Sequence, residues 1–299
     1  MTMPKLAIHH KTEYRYTRAV AFGEHRIMLR PRDGHDLRVL SCELDITPEP
    51  MRIRWIHDIF GNSVAIATFD ERADRLTFDA TIRVDHNPAE EFALTPDDHA
   101  FFYPFLYDSE EFPDLCQFVT PQYSDPGGEL SAWARTFLDA EAPTPTFKIL
   151  SGMTHGIRAL LSYRRRHEHG TQHPLDTLQT GSGTCRDYAL LMIEALRRLG
   201  IAARFVSGYL YTGDRAHEGG GSTHAWVQVY LPDAGWIEFD PTNGITGSRD
   251  LIRVAVARDP VQAIPLHGTY LDSADAFEEM VVNINVLSAE QSLVMEAEG

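Results

Sequence analysis

The chain is poor in cysteine, with three among 299 residues. Cys42, Cys116 and Cys185 lie far apart and form no C-x-x-C pair, so neither a disulfide framework nor a zinc knuckle is expected. Excess positive charge is also missing. The chain has 27 basic against 43 acidic residues and a formal net charge of -16. Such a surface repels phosphate backbones and anionic lipid, which argues against nucleic-acid and membrane-surface partners. No apolar run approaches the roughly 18–20 residues that span a bilayer. The opening MTMPKLAIHHKTEYRYTR lacks the apolar core and small-residue cleavage site of a secretory signal. A cytoplasmic protein with free thiols is the expectation.

What remains is the composition of a globular chain: 43% hydrophobic and 23% charged, enough to bury a sizeable core. Residues 1–90 read as β structure. KLAIHHKTEYRYT, DLRVLSCELDITP, MRIRWIHDIFGNSVAIATFD and DRLTFDATIRVDH alternate in part and are punctuated by PRDGHD, PEP and FGN. An all-β, sandwich-like domain is expected there. Residues 91–148 begin as a proline-interrupted, aromatic-rich connector, with AFFYPFLYD as packing material, and turn helical at ELSAWARTFLDA. Residues 149–290 form the third unit. TFKILSGMTHGIRALLSYRRR and DYALLMIEALRRLG have helical spacing, the second with Leu191, Ala195, Leu196 and Leu199 inward and Gly200 as its stop. ARFVSGYLY, HAWVQVYLP, GWIEFDPT and MVVNINVLS read as strands. The fold class is therefore α+β.

The chemistry concentrates in this third unit. In GSGTCRDYALLMIEALRRLG, Cys185 sits at the first turn of a helix behind a glycine-containing loop. A helix N-terminus favours the thiolate, and its unpaired N–H groups can hold a developing oxyanion. A thiolate also needs a proton partner near neutral pH. His224 opens the strand HAWVQVYL, with Trp226, Gln228 and Tyr230 on the same face. One hairpin later, past the turn PDAG, Asp240 closes GWIEFD. It can stand beside the histidine on a neighbouring antiparallel strand and orient the imidazole.

GTCRDYA, then ARFVSGY, then THAWVQVYLPDAGWIEFDPTNG resembles the core of the transglutaminase-like superfamily, relatives of papain-type peptidases. YRYTRAVAFGEHRIMLRPRDG and DIFGN are similar to the β domain ahead of that core in many bacterial members. The resemblance implies a papain-like fold with Cys185 as nucleophile, His224 as base and Asp240 as orienting acid. It also implies action on a peptide or protein through a thioester. Hydrolysis is the first expectation and acyl transfer to an amine the second, with an inactive peptide-binding relative from a different class. Many members carry an acid where this chain has Gln228, a change expected to tune the site. Animal members use calcium, but no DxDxDG-type loop is present, so no metal or cofactor is expected. Gln179 and Tyr163 are the candidates for completing the oxyanion hole.

Other features keep bland readings. Cys42 and Cys116 are packing or connector residues. His167, His169 and His173 in RRRHEHGTQHP form a solvated loop rather than a metal site. Arg186 and Asp187 serve hydrogen bonding and first-turn charge. Trp226 and Trp236 pack around the three site residues. Gly219, Gly220 and Gly221 are either a lid or a slack hairpin tip, and oligomeric state is left open.

Overall fold

The computed structural model describes residues 5–88, 95, 98–141, 143–164, 170–211, 213 and 223–288. The chain opens with β1 (Lys5–Ile27), β2 (Leu37–Thr47), β3 (Arg52–His57), β4 (Ser63–Thr68) and β5 (Arg72–His86). Alternation decides which side of β1 faces inward. Leu6, Ile8, His10 and Thr12 are buried and stand opposite Val84, Ile82, Ala80 and Phe78 of β5. Such cross-strand pairs on one face are the unit of sheet stability. The order is β2-β5-β1-β4-β3 within a seven-stranded sheet.

Helices then follow. α1 (Phe112–Val119), α2 (Glu129–Arg135), α3 (Thr146–Leu160), α4 (Pro174–Thr180) and α5 (Cys185–Arg198) precede a second sheet. That sheet consists of β6 (Ala203–Leu210), β7 (His224–Leu231), β8 (Gly235–Asp240), β9 (Ile245–Thr246) and β10 (Leu251–Ala257), in the order β9-β8-β7-β6-β10. All its pairings are antiparallel. Leu191, Ala195, Leu196 and Leu199 of α5 and its C-terminal turn pack in one cluster with Ala225, Val227, Val229 and Leu231 of β7. α5 is thus buried between helices and sheet, and Gly200 follows it at φ +76°, as a helix stop should.

Three local expectations change. α1 and α4 form where the sequence suggested connector and loop, each with proline in its first turn. The third helix ends at Leu160, and Ser162–Tyr163 then pairs in parallel with Ser182–Gly183, just before Cys185. The last strands also do not stay with the 149–290 unit in which the sequence placed them. β11 (Leu266–Leu271) and β12 (Phe277–Ser288) pair with β1, from Ala21↔Leu271 and from Leu6↔Ser288 respectively. β1 is therefore flanked by β5 and β12 along its first part and by β4 and β11 toward Ile27.

β4 links the two halves of the molecule. Its Ala65 and Ala67 face the core of the first sheet, while Val64 and Ile66 face the cluster around α5. The connector is tied down as well. Tyr103 donates to the Leu199 carbonyl at 3.0 Å, and the Tyr107 hydroxyl bridges the Tyr230 carbonyl and the Ala202 N–H. Tyr103, Phe105 and Tyr107 pack, as their sequence suggested, whereas Phe102 is exposed. No helix among the described residues is long and apolar enough to cross a membrane.

Candidate active site

α5 starts where Thr184 leaves extended backbone (φ −96°, ψ 174°). The fully buried Asp187 carboxylate fixes that start. It accepts from the Thr184 N–H at 2.7 Å, the Thr184 hydroxyl at 2.8 Å and the Gln172 N–H at 2.7 Å. This is the capping logic of a helix N-terminus, and it sets the position of Cys185 on the first turn. Gly183 must be glycine, because a Cβ there would lie 2.8 Å from Asp187 Cβ. Cys185 is only 7% exposed.

His224 begins β7 opposite Gly208 of β6. A side chain at Gly208 would strike the Ile252 carbonyl and the Trp226 indole, so the strands around the histidine meet with no room to spare. Trp226 stacks on the His224 ring at 6.0 Å between centroids. Asp240 ends β8, and its Oδ2 lies 2.7 Å from His224 Nε2. Both groups are fully buried. Among the described residues the other ring nitrogen, Nδ1, has no hydrogen-bond partner. That leaves Nδ1 as the ring nitrogen not committed to Asp240.

The electrostatics follow from these contacts. Burial alone would lower the imidazole pKa, but the Asp240 carboxylate overcomes it, and charge from Cys185 adds to the rise. Burial would likewise raise the Asp240 pKa, yet the histidine, Asn243 and the Thr242 N–H hold it below the ordinary carboxylate value. The structure holds His224 and Asp240 together at 2.7 Å, and the charge of Cys185 acts on the same imidazole.

The turn after β8 holds what sequence reasoning missed. Asp240 Oδ1 accepts from the Thr242 N–H at 2.8 Å and the Asn243 N–H at 3.3 Å, and Oδ2 accepts from Asn243 Nδ2 at 2.8 Å. An aspartate that ends a strand and is followed by P-T-N-G is the pattern of such a side-chain-to-backbone turn, so the signal was present.

Other candidates settle differently. Gln179 donates to Glu129 Oε2 at 2.9 Å, and the Tyr163 ring lies against Tyr188. Trp236 stands at the far end of β8 from Asp240. There it packs on Phe118 and Tyr230, with the Arg204 guanidinium 3.8 Å above its ring. Four residues of strand, at about 3.3 Å each, put Trp236 roughly 13 Å along β8 from Asp240, which keeps it apart from the aspartate. Gln228 lies between Arg204 at 2.9 Å and Glu238 at 3.1 Å, inside a buried polar chain behind the site. His173 caps α4 by accepting from the Leu175 N–H. His167, His169 and Gly219, Gly220 and Gly221 lie outside the described residues. Among the described residues, no three His, Cys, Asp or Glu side chains converge as a metal site would require.

With fold and site in view, comparison with known proteins defines the class. Residues 6–85 match the bacterial transglutaminase-like N-terminal region, and residues 134–241 match the transglutaminase-like superfamily. A solved structure of a proposed cysteine protease from Cytophaga hutchinsonii superposes with a TM-score of 0.70 at 20% identity, over 96% of this chain and 91% of that one. The fold is thus the papain-like, transglutaminase-core fold. The chain is a transglutaminase-like superfamily protein, with the bacterial N-terminal region ahead of the core.

Similarity to individual relatives extends over nearly the whole length. An uncharacterized protein of Mycobacterium tuberculosis is 29% identical over 293 residues, covering 93% of this chain and 90% of the relative. Another from Mycobacterium leprae is 26% identical over 290 residues, covering 96% and 100%. A protein-glutamine gamma-glutamyltransferase of Pseudomonas aeruginosa is 38% identical over 77 residues, covering 23% of this chain and 11% of that protein.

Proposed function

We propose that this chain is a cysteine peptidase or amidase that cleaves a peptide or isopeptide amide through a thioester on Cys185. One observation carries the reading: a fully buried His224–Asp240 pair at 2.7 Å, whose imidazole is also acted on by a thiol at the head of α5. The Cys185 thiolate attacks the carbonyl carbon, and α5 N–H groups stabilise the oxyanion. The imidazolium passes its proton to the leaving nitrogen, the C–N bond breaks, and a thioester and a free amine result. His224 then takes a proton from water as it attacks the thioester, and collapse releases the acid and the Cys185 thiolate, restoring the thiolate–imidazolium pair. Asp240 stays ionised throughout and holds the ring.

Acyl transfer to an amine uses the same first half. The local similarity to the Pseudomonas aeruginosa transferase supports it as the second reading. The substrate in either case is a peptide or protein. Three free cysteines suit the reducing cytoplasm, where we place the protein.

The test is a peptide-library profile with and without added primary amine, comparing wild type with Cys185→Ala. Release of carboxylate products that Cys185→Ala abolishes is expected. Amide products formed only with added amine would instead favour the transferase. Activity persisting in Cys185→Ala would reject the mechanism, and no turnover with no acyl adduct on Cys185 would favour an inactive binder.

A further inference from the structure

Asp240 receives more hydrogen bonds than holding a histidine requires. Its Oδ1 is fixed by two main-chain N–H groups of its own turn, from Thr242 and Asn243. Those bonds set the plane of the carboxylate. Oδ2 is then divided between His224 Nε2 at 2.7 Å and Asn243 Nδ2 at 2.8 Å, and the two donors lie 3.3 Å apart. Asn243 is itself buried and anchored, since its main-chain carbonyl accepts from Arg158 Nη1 of α3 at 2.8 Å.

We propose that Asn243 is a positioning residue that sets the strength of the Asp240–His224 bond by sharing the carboxylate oxygen the imidazole uses. A donor on Oδ2 draws charge from it and weakens its hold on the imidazolium. Such a brake has a use. The imidazolium must form to stabilise the thiolate, yet must release its proton to the leaving nitrogen. A carboxylate bonded to histidine alone would favour the first step at the expense of the second. The inference rests on the proposed roles of the three site residues and adds a fourth that touches no substrate.

The groups facing the pair can be named. Cys185 comes from α5, Asp240 from β8 and Gly208 from β6. From α3, Arg158 and His155 lie against Gly244 of the turn. Among the described residues, only the Asn243 side chain puts a donor on Oδ2 besides the histidine. Asn243→Leu keeps most of the volume and removes the donor, while Asn243→Ala removes both. The main-chain N–H on Oδ1 survives in each.

The test is the rate of Cys185 alkylation by iodoacetamide between pH 4 and pH 10, read by mass spectrometry, with thermal melting as the control for folding. Both variants should alkylate about three- to tenfold faster than wild type at pH 7, because a firmer hold on the imidazolium shifts the thiol–imidazole pair toward thiolate and imidazolium. A rate at pH 7 unchanged in both folded variants, lowered in both, or raised in Asn243→Ala alone would overturn the inference while leaving the proposed function standing. A wild type whose Cys185 reacts no faster than Cys116 would overturn both.

Discussion

Glu238 and Asp240 are two residues apart on β8, and both are buried. Asp240 has four donors on its two oxygens and stays below the ordinary carboxylate pKa. Glu238 has Gln228 at 3.1 Å and Arg253 at 3.4 Å on one oxygen, and among the described residues Oε2 has no hydrogen-bond partner. Burial, partly offset by Arg253, pushes its pKa up to about 6. Arg253 is also committed elsewhere, gripping Asp36 at 2.7 and 2.5 Å. Depth is the same for both acids, so the supply of donors decides which one is a dependable anion. The acid proposed for the site, Asp240, is the well-supplied one.

The largest break in this comparison is Asp240→Asn. The substitution keeps the shape and the turn but presents an amide to the imidazole, forcing the wrong tautomer. Turnover of a substrate cleaved by wild type should drop by about 10³–10⁴-fold with little change in melting temperature. A loss under tenfold would show that the carboxylate does not orient the base.

Glu194 of α5 extends the comparison to a buried acid with both donors and full ion pairing. It accepts from the Gln122 and Tyr123 N–H groups and pairs with Arg197 at 2.9 Å and Arg198 at 3.0 Å. It clasps the connector onto the helix that carries Cys185. Glu194→Ala strands a buried Arg197 and should cost about 3–5 kcal/mol in denaturant unfolding. A cost below about 1 kcal/mol would mean that the clasp does not hold the connector.

Glu238→Gln has the smaller effect, and its sign is set by pH. Folding raises the Glu238 pKa, so the stability it contributes is complete below the unfolded carboxyl range and fades as pH rises through about 6. Between pH 4 and pH 7 the variant should gain about 2 kcal/mol on wild type, read from urea midpoints at both pH values. A stability difference independent of pH would mean that Glu238 ionises as readily folded as unfolded.

These contrasts separate what local sequence displays from what it hides. Strand alternation in β1 and β5, the glycine loop before Cys185, and the hairpin that carries His224 to Asp240 are all short-range patterns, and they were legible. Pairing of β12 with β1 joins Leu6 to Ser288, and nothing in MVVNINVLS names that partner. The clasp at Glu194 was hidden for the same reason, because its donors sit in the connector some seventy residues earlier. Trp236 and Asp240 share a strand, so sequence proximity suggested a shared site, but the rise along the strand separates them. Asn243 was readable as a turn residue, whereas its claim on Oδ2 depended on where the histidine stood.

The central claim is that a buried imidazole, braced by a carboxylate, activates a nearly buried sulfur. Labelling of the three cysteines by iodoacetamide at pH 6 tests it, in wild type and in His224→Ala. Cys116 is exposed, Cys42 is half-buried, and burial pushes the Cys42 thiol up. Access alone would therefore make Cys116 react fastest. The account predicts that Cys185 reacts about tenfold or more faster than Cys116 in wild type, and that the advantage disappears in His224→Ala. Labelling that follows exposure in both proteins would contradict it.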